Sequence, residues 1–237
     1  MIEHVYQTKD EHEFLEKTSI HLLEKIHETL AKQDFCRLGL SGGSTTKRLY
    51  HRLSELHIPW EKMILIVLDE RNVPLNDAYS NYGMIRDELF GAIKIPQEQI
   101  IFFDTSLGYD SAVLSAEQKL IHLKQGRTPI FDHLILGVGP DGHIASIFPD
   151  SPDQNTVQKG FLTMKTHTLA FDVSERMTVT MEALTSCTSA TLLVSGHEKA
   201  RVLHAIMSNT GAIEGQNSLP IMEFVSKVPT TVFAMNV

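Results

Sequence analysis

Short apolar runs alternate along the chain with longer segments whose apolar residues recur at helical spacing. Runs of strand length lie at Phe35–Leu40, Met63–Leu68, Ile100–Phe103, Phe131–Gly137, Thr168–Phe171, Ala190–Val194 and Thr231–Ala234. Between them, amphipathic patterns predict helices over Asp10–Lys32, Thr45–Leu53, Asn81–Ile93, Asp110–Lys124, Arg176–Leu184 and His197–Met207. In the first of these, Phe14, Leu15, Ile20, Leu22, Leu23 and Ile26 mark roughly one stripe, suited to covering a sheet. Alternation of strand and helix predicts an α/β fold, a mostly parallel sheet flanked by helices on both faces. No repeat, low-complexity tract or linker divides the chain, so residues 1–237 are expected to form a single domain. The polar stretch Asp150–Gly160 reads as a mobile surface loop.

Composition narrows the classes of function. A chain of 237 residues with 42% hydrophobic and 21% charged positions is an ordinary globular sequence, long enough to bury a sizeable core. The formal charge of −8 argues against a nucleic-acid surface. It also requires that any anionic ligand be held by a local basic pocket, against the overall field. Cys36 and Cys187 are far apart, with no Cys-x-x-Cys spacing, and read as reduced, buried thiols. The polar N-terminus has no signal-peptide core, and Met63–Leu68 is too short to cross a bilayer. These features predict a soluble cytoplasmic protein with neither membrane nor nucleic acid as partner.

Chemistry concentrates where predicted strands end. The most informative stretch is Leu136-Gly-Val-Gly-Pro-Asp-Gly-His143, which follows a buried run and sets a carboxylate, Asp141, two residues from an imidazole, His143. In open parallel sheets ligands sit at that end, and such a titratable pair suggests proton transfer. The same stretch satisfies Gly-x-Gly-x-x-Gly, but Asp141 would stand beside a pyrophosphate. No acidic residue ends a following strand, so a nicotinamide cofactor is not expected.

Three further segments add charge at strand ends. Leu38-Gly-Leu-Ser-Gly-Gly-Ser-Thr-Thr46 runs from a strand through glycines into a helix. It reads either as an anion site at the helix N-terminus or as a tight turn capped by Ser44 or Thr45. Its spacing is not that of a P-loop. Leu68-Asp-Glu-Arg-Asn-Val-Pro74 places Asp69, Glu70 and Arg71 at a strand end. Arg71 there is either a bidentate phosphate grip or part of a solvated salt bridge, and Asp69 and Glu70 can accept hydroxyls or hold neighbouring cations. Ser80 or Asn81 can cap the next helix. Leu192-Leu-Val-Ser-Gly-His-Glu-Lys199 sets Lys199, a second anion contact, in a helix's first turn. No His, Cys and carboxylate group has metal-ligand spacing, and no Gly-x-Ser-x-Gly elbow offers a serine nucleophile. Histidines such as His12, His21, His27 and His122 fall on helices and need no role.

Taken in order, Leu40-Ser-Gly-Gly-Ser-Thr, Asp69-Glu-Arg-Asn-Val-Pro, Ser80-Asn-Tyr, Gly137-Val-Gly-Pro-Asp-Gly-His-Ile-Ala-Ser-Ile-Phe-Pro149, Arg176-Met-Thr-Val-Thr180 and Gly196-His-Glu-Lys199 resemble the 6-phosphogluconolactonase family, related to glucosamine-6-phosphate deaminases. The resemblance implies a sheet of the NagB/RpiA/CoA transferase-like kind. It implies hydrolysis of 6-phosphoglucono-δ-lactone to 6-phosphogluconate without cofactor. No metal is expected, and the chain is expected to act as a monomer or small homo-oligomer. The resemblance assigns Gly42, Gly43, Ser44, Arg71 and Lys199 to the phosphate, places Arg176 in the pocket, and makes His143 the general base positioned by Asp141. Thr46 replaces the family's usual proline, and the prolines usual before Arg176 are missing. The deaminases carry a further acid after their histidine, whereas Ala145-Ser-Ile-Phe-Pro149 has none. A non-catalytic sugar-phosphate sensor would keep the fold but have no need of Asp141 and His143.

Overall fold

The computed structural model describes residues 1–149, 162–208 and 219–237. The predicted Asp150–Gly160 loop lies outside the described residues. The elements, in chain order, are β1 (Ile2–Thr8), α1 (Glu11–Leu30), β2 (Cys36–Leu40), α2 (Ser44–Ser54), β3 (Met63–Val67), β4 (Asp69–Arg71), α3 (Asn81–Ile85), β5 (Ile100–Ile101), α4 (Tyr109–Lys124), β6 (Phe131–Gly137), β7 (Thr163–His167), β8 (Glu175–Val179), α5 (Met181–Thr185), β9 (Cys187–Ser195), α6 (Ala200–Ser208), α7 (Pro220–Lys227) and β10 (Thr230–Met235).

Seven strands form a sheet in the order β1-β10-β9-β6-β2-β3-β5, and every neighbouring pair in it is parallel. Its central strands β2 and β6 are buried along almost their whole length because both faces are covered. Alternate residues serve opposite sides. Leu134 and Leu136 pack with α4, α6 and α7, while Ile135 between them packs with α1 and α2. On α1 the buried stripe is Phe14, Thr18, Ser19, Leu22 and Ile26, and Ile20 lies off it, exposed.

The chain steps out of this sheet at Leu68, whose carbonyl accepts from Val179 N, and continues as β4 in a second, antiparallel sheet ordered β4-β8-β7. Three sequence expectations are corrected here. Arg176–Leu184 is not one helix: Arg176–Val179 belong to strand β8, and α5 begins only at Met181. Met177, Thr178 and Val179 are fully buried between neighbouring elements, so packing on a pleated surface overrides the weak helical spacing. Thr168–Phe171 is the turn joining β7 to β8, and the strand itself is Thr163–His167. The predicted Asn81–Ile93 helix is α-helical only to Ile85 and continues as a wider turn to Phe90. β1 and α7 were not among the predicted elements. Among the described residues no helix is long and apolar enough to cross a membrane. Cys36 and Cys187 are free thiols, and burial pushes both up to about 12.

Candidate active site

Between β2 and β6 the direction of travel across the large sheet reverses. From β2 the chain proceeds through β3 and β5 to one edge, and from β6 through β9 and β10 towards the other. Loops leaving adjacent strands at such a point diverge and open a crevice beyond the strand ends. A cavity of about 200 Å³ occupies that place, lined by Gly42, Gly43, Ser44, Arg71, Asn81, Gly139, His143, Phe171, Arg176 and Lys199, among others. Its floor is held by Ser41, whose Oγ accepts from Gly137 N at 2.9 Å and whose carbonyl accepts from the buried Tyr50 hydroxyl at 2.6 Å.

On the β2 side, α2 begins directly from the floor. Gly43, not Ser44 or Thr45, takes the cap position, at φ 124°, where an L side chain is strained. Among the described residues no side chain caps this helix, so its first-turn N–H groups are available to a ligand. Thr46 turns inward and donates to the Gly43 carbonyl at 2.9 Å.

The β4–β8 pair supplies two guanidinium groups. Arg71 Nη1 donates to the Tyr79 carbonyl and to Asn81 Oδ1, both at 2.6 Å, and its buried Nε has no partner among the described residues. Arg176 Nε donates to the Val173 carbonyl at 2.8 Å. Burial, and then the nearby Arg71, push Arg176 down to about 10, with Asp69 and Glu70 pulling upward. Lys199 lies in a tight turn, His197–Lys199, before α6 begins at Ala200, and burial lowers its ammonium too. Four positive features therefore meet one cavity in a chain of net negative charge: Arg71, Arg176, Lys199 and the α2 N-terminus.

The acidic residues beside Arg71 divide between two tasks. Glu70 does not face the cavity. Its buried carboxylate accepts from Asn81 N at 2.7 Å, Tyr82 N at 2.8 Å, Ser80 Oγ at 3.0 Å and Arg71 N at 2.8 Å, fixing the start of α3. Burial raises its pKa, and those four hydrogen bonds oppose the shift. Asp69 does line the cavity and accepts from Ser146 Oγ at 2.7 Å, tying β4 to the segment after His143. Of the two proposed caps on α3, Ser80 is the one used, accepting from Gly83 N at 2.9 Å.

On the β6 side, the chain turns back on itself, with Gly139 N donating to the His143 carbonyl at 2.9 Å. This tight return brings Asp141 Oδ1 within 2.5 Å of His143 Nδ1. A Cβ at Gly139 would fall 2.1 Å from Nδ1 and Cε1 of that imidazole, so the ring occupies space that only glycine leaves. Burial pulls the Asp141 carboxyl upward, but the His143 ring and backbone outweigh it and hold the acid below its usual range. Nε2 of His143 makes no hydrogen bond among the described residues. Phe148 and Phe171 flank the ring, with centroids 4.9 and 5.5 Å away.

The eight residues that the resemblance assigns thus converge: seven line the cavity, and Asp141 stands behind His143; of the two further acids, Asp69 joins them and Glu70 does not. Asn81, Phe148, Phe171 and the Asp69–Ser146 contact were not read from sequence as parts of the site. Phe148, five residues from His143, was within reach of inspection. Phe171 arrives only through the β7–β8 hairpin, which no local signal announced. Among the described residues no three histidine, cysteine or acidic side chains gather as a metal would require.

The family described as glucosamine-6-phosphate isomerases/6-phosphogluconolactonase matches residues 9–232. 6-Phosphogluconolactonase of Thermotoga maritima is 34% identical over 209 residues, 83% of this chain and 91% of that one. The human 6-phosphogluconolactonase is 34% identical over 77% of this chain and 71% of its own. The crystal structure of the Thermotoga maritima enzyme superposes over 100% of both chains with a TM-score of 0.84 at 30% identity.

Proposed function

Because the chain belongs to the glucosamine-6-phosphate isomerase/6-phosphogluconolactonase family, we propose that it hydrolyses 6-phospho-D-glucono-1,5-lactone to 6-phospho-D-gluconate, a step of the pentose phosphate pathway. The observation that carries this reading is the Asp141–His143 contact at 2.5 Å beside a cavity holding three basic side chains. One end of that cavity suits a proton transfer and the other suits a dianion.

A δ-lactone is an activated ester, so hydrolysis needs a positioned water, a base and a place for the developing oxyanion, but no covalent nucleophile. Asp141 accepts the Nδ1 proton of His143 and thereby leaves Nε2 unprotonated and facing substrate. Nε2 takes a proton from water as its oxygen attacks the lactone carbonyl. The tetrahedral intermediate then expels the ring oxygen, which receives the proton held by the imidazole, and the new carboxylic acid ionises to the carboxylate. Arg71, Arg176, Lys199 and the first-turn N–H groups after Gly43 hold the phosphate. Binding remote from the carbonyl thus fixes the reacting atom against His143. Arg71 Nε, buried and without a partner among the described residues, is a donor that a phosphate oxygen can satisfy.

The reaction uses no membrane, nucleic acid or cofactor, and we place it in the cytoplasm. A monomer or small homo-oligomer suffices, since one chain supplies every group invoked. The test measures acid release from freshly made lactone above its spontaneous hydrolysis, in parallel with ammonia release from glucosamine 6-phosphate. Lactone hydrolysis without deamination is expected. The reverse outcome assigns the chain to the deaminase branch, and phosphate binding without either reaction makes it a sensor.

A further inference from the structure

We propose that Phe171 is a positioning residue for this reaction, a single ring that fixes both the His143 imidazole and the Arg176 guanidinium at the cavity. The inference rests on the lactonase reading above and adds a residue to it.

The Asp141 contact fixes one edge of the His143 ring, at Nδ1, and Gly139 backs that edge closely. The plane of the imidazole must be set by whatever packs on the ring. Phe171 meets it edge-on, at 80° and 5.5 Å between centroids, and Phe148 covers it at 4.9 Å. On its other side Phe171 carries the Arg176 guanidinium, with Cζ 5.5 Å from the ring centroid. The base and a phosphate-binding cation therefore lean on the same side chain.

Phe171 is 40% exposed and so gains only part of the burial energy of a core phenylalanine. Its position depends on the turn that bears it. Thr168 N donates to the Ser174 carbonyl at 3.0 Å and closes that turn, and Ala170 N donates to Thr168 Oγ1 at 3.1 Å. At the tip, the Tyr79 hydroxyl donates to Asp172 Oδ2 at 2.9 Å. Tyr79 also offers its carbonyl to Arg71 Nη1, so this latch joins the supports of both arginines across the mouth of the cavity.

The experiment compares steady-state lactone hydrolysis and the NMR signal of the His143 Hε1 proton in wild type, Phe171→Ala, Phe171→Tyr, Tyr79→Phe and the Tyr79→Phe/Phe171→Ala double variant. Loss of the ring should lower kcat about tenfold to a hundredfold, the scale for a misplaced reacting group, and raise KM as Arg176 loosens. Phe171→Tyr should restore both constants. The Hε1 signal should lose its ring-current displacement in Phe171→Ala and regain it in Phe171→Tyr. Tyr79→Phe should act in the same direction but add nothing once the ring is gone. The inference is overturned if Phe171→Ala keeps kcat and KM within about twofold of wild type, or merely melts earlier with both constants intact. If wild type fails to hydrolyse the lactone, the functional reading falls. The NMR arm then decides by itself, and an unmoved His143 signal in Phe171→Ala overturns the ring's role.

Discussion

Arg71 and Arg176 stand directly opposite each other across the antiparallel β4–β8 pair. Like charges so placed repel and cost stability. Asp69 and Glu70 offset part of that cost, yet burial and Arg71 still lower Arg176 to about 10. On the proposed reading, a phosphate received between the two guanidiniums would turn the repulsion into charge-assisted hydrogen bonds. Register in a three-residue strand would then give an anion site that neither arginine would make alone.

Binding should therefore stabilise the fold. Inorganic phosphate or 6-phosphogluconate at a hundredfold excess over Kd should add about 2.7 kcal/mol to the stability of the wild type, read as a rise in Tm. Arg71→Ala removes a charge-assisted contact worth about 1.5–3 kcal/mol, so KM for the lactone should rise about tenfold to a hundredfold. Its turnover at saturation should change less. An unchanged KM, with the thermal shift by phosphate intact, would remove Arg71 from the phosphate site.

His143→Ala should cut kcat by about 10²–10⁴-fold, the usual worth of a positioned general base. Affinity for 6-phosphogluconate should stay close to wild type, because the phosphate contacts lie on other elements. Calorimetric titration with the product and initial-rate kinetics separate the two quantities. Wild-type turnover in this variant would exclude the imidazole as the base.

Gly139→Ala tests the same ring from behind. A methyl group 2.1 Å from Nδ1 and Cε1, and 2.6 Å from Asp141 Oδ1, cannot coexist with the observed imidazole position. The ring must swing away, so kcat should fall towards the level of His143→Ala while phosphate still raises Tm. A variant as active as wild type would show that the catalytic group is elsewhere.

The sequence disclosed the site more fully than the fold around it. Most strands of the large sheet announced themselves as short runs rich in apolar residues because their faces are buried, and β6 was bounded to the residue, whereas the polar edge strand β1 gave no such run. The small sheet gave no such signal. In β4, three charged residues in a row form a strand because Asp69 and Glu70 find partners in Ser146, Ser80 and the α3 backbone, which no local pattern reveals. β8 shows how tertiary pairing wins: Arg176-Met-Thr-Val carries helical spacing but ends in two β-branched residues, is buried and is flanked on both sides by strands. The cap on α2, expected at Ser44 or Thr45, falls on Gly43 instead, which takes a backbone conformation that L side chains rarely adopt. His143, Asp141, Arg71 and Lys199 were legible as charges at strand ends, the place where parallel sheets bind ligands. Phe171 was not, since its role arises only when a hairpin tip folds back over another strand's loop.

Stability should fall in mild acid through a histidine remote from the cavity. His133 on β6 is buried, its Nδ1 2.7 Å from Ser189 Oγ and its Nε2 2.7 Å from Thr191 Oγ1. Burial pushes this imidazole down to about 3, and the neighbouring His21 and Lys25 add to the shift. The unfolded chain binds the proton near the ordinary value of 6.5, whereas the folded chain resists it until about 3. The contribution of the neutral ring is therefore complete above pH 6.5 and is lost as pH falls from 6.5 towards 3. At about pH 5 the loss from this one group is about 2 kcal/mol. His21 is lowered in the same sense and steepens the decline. Urea denaturation at about pH 8, 6.5 and 5 measures the slope. In His133→Gln the absolute stability will differ, but the share of the slope belonging to this ring should vanish. Equal slopes in the two proteins would mean that the imidazole is protonated within the fold, or that the unfolded chain does not take up the proton.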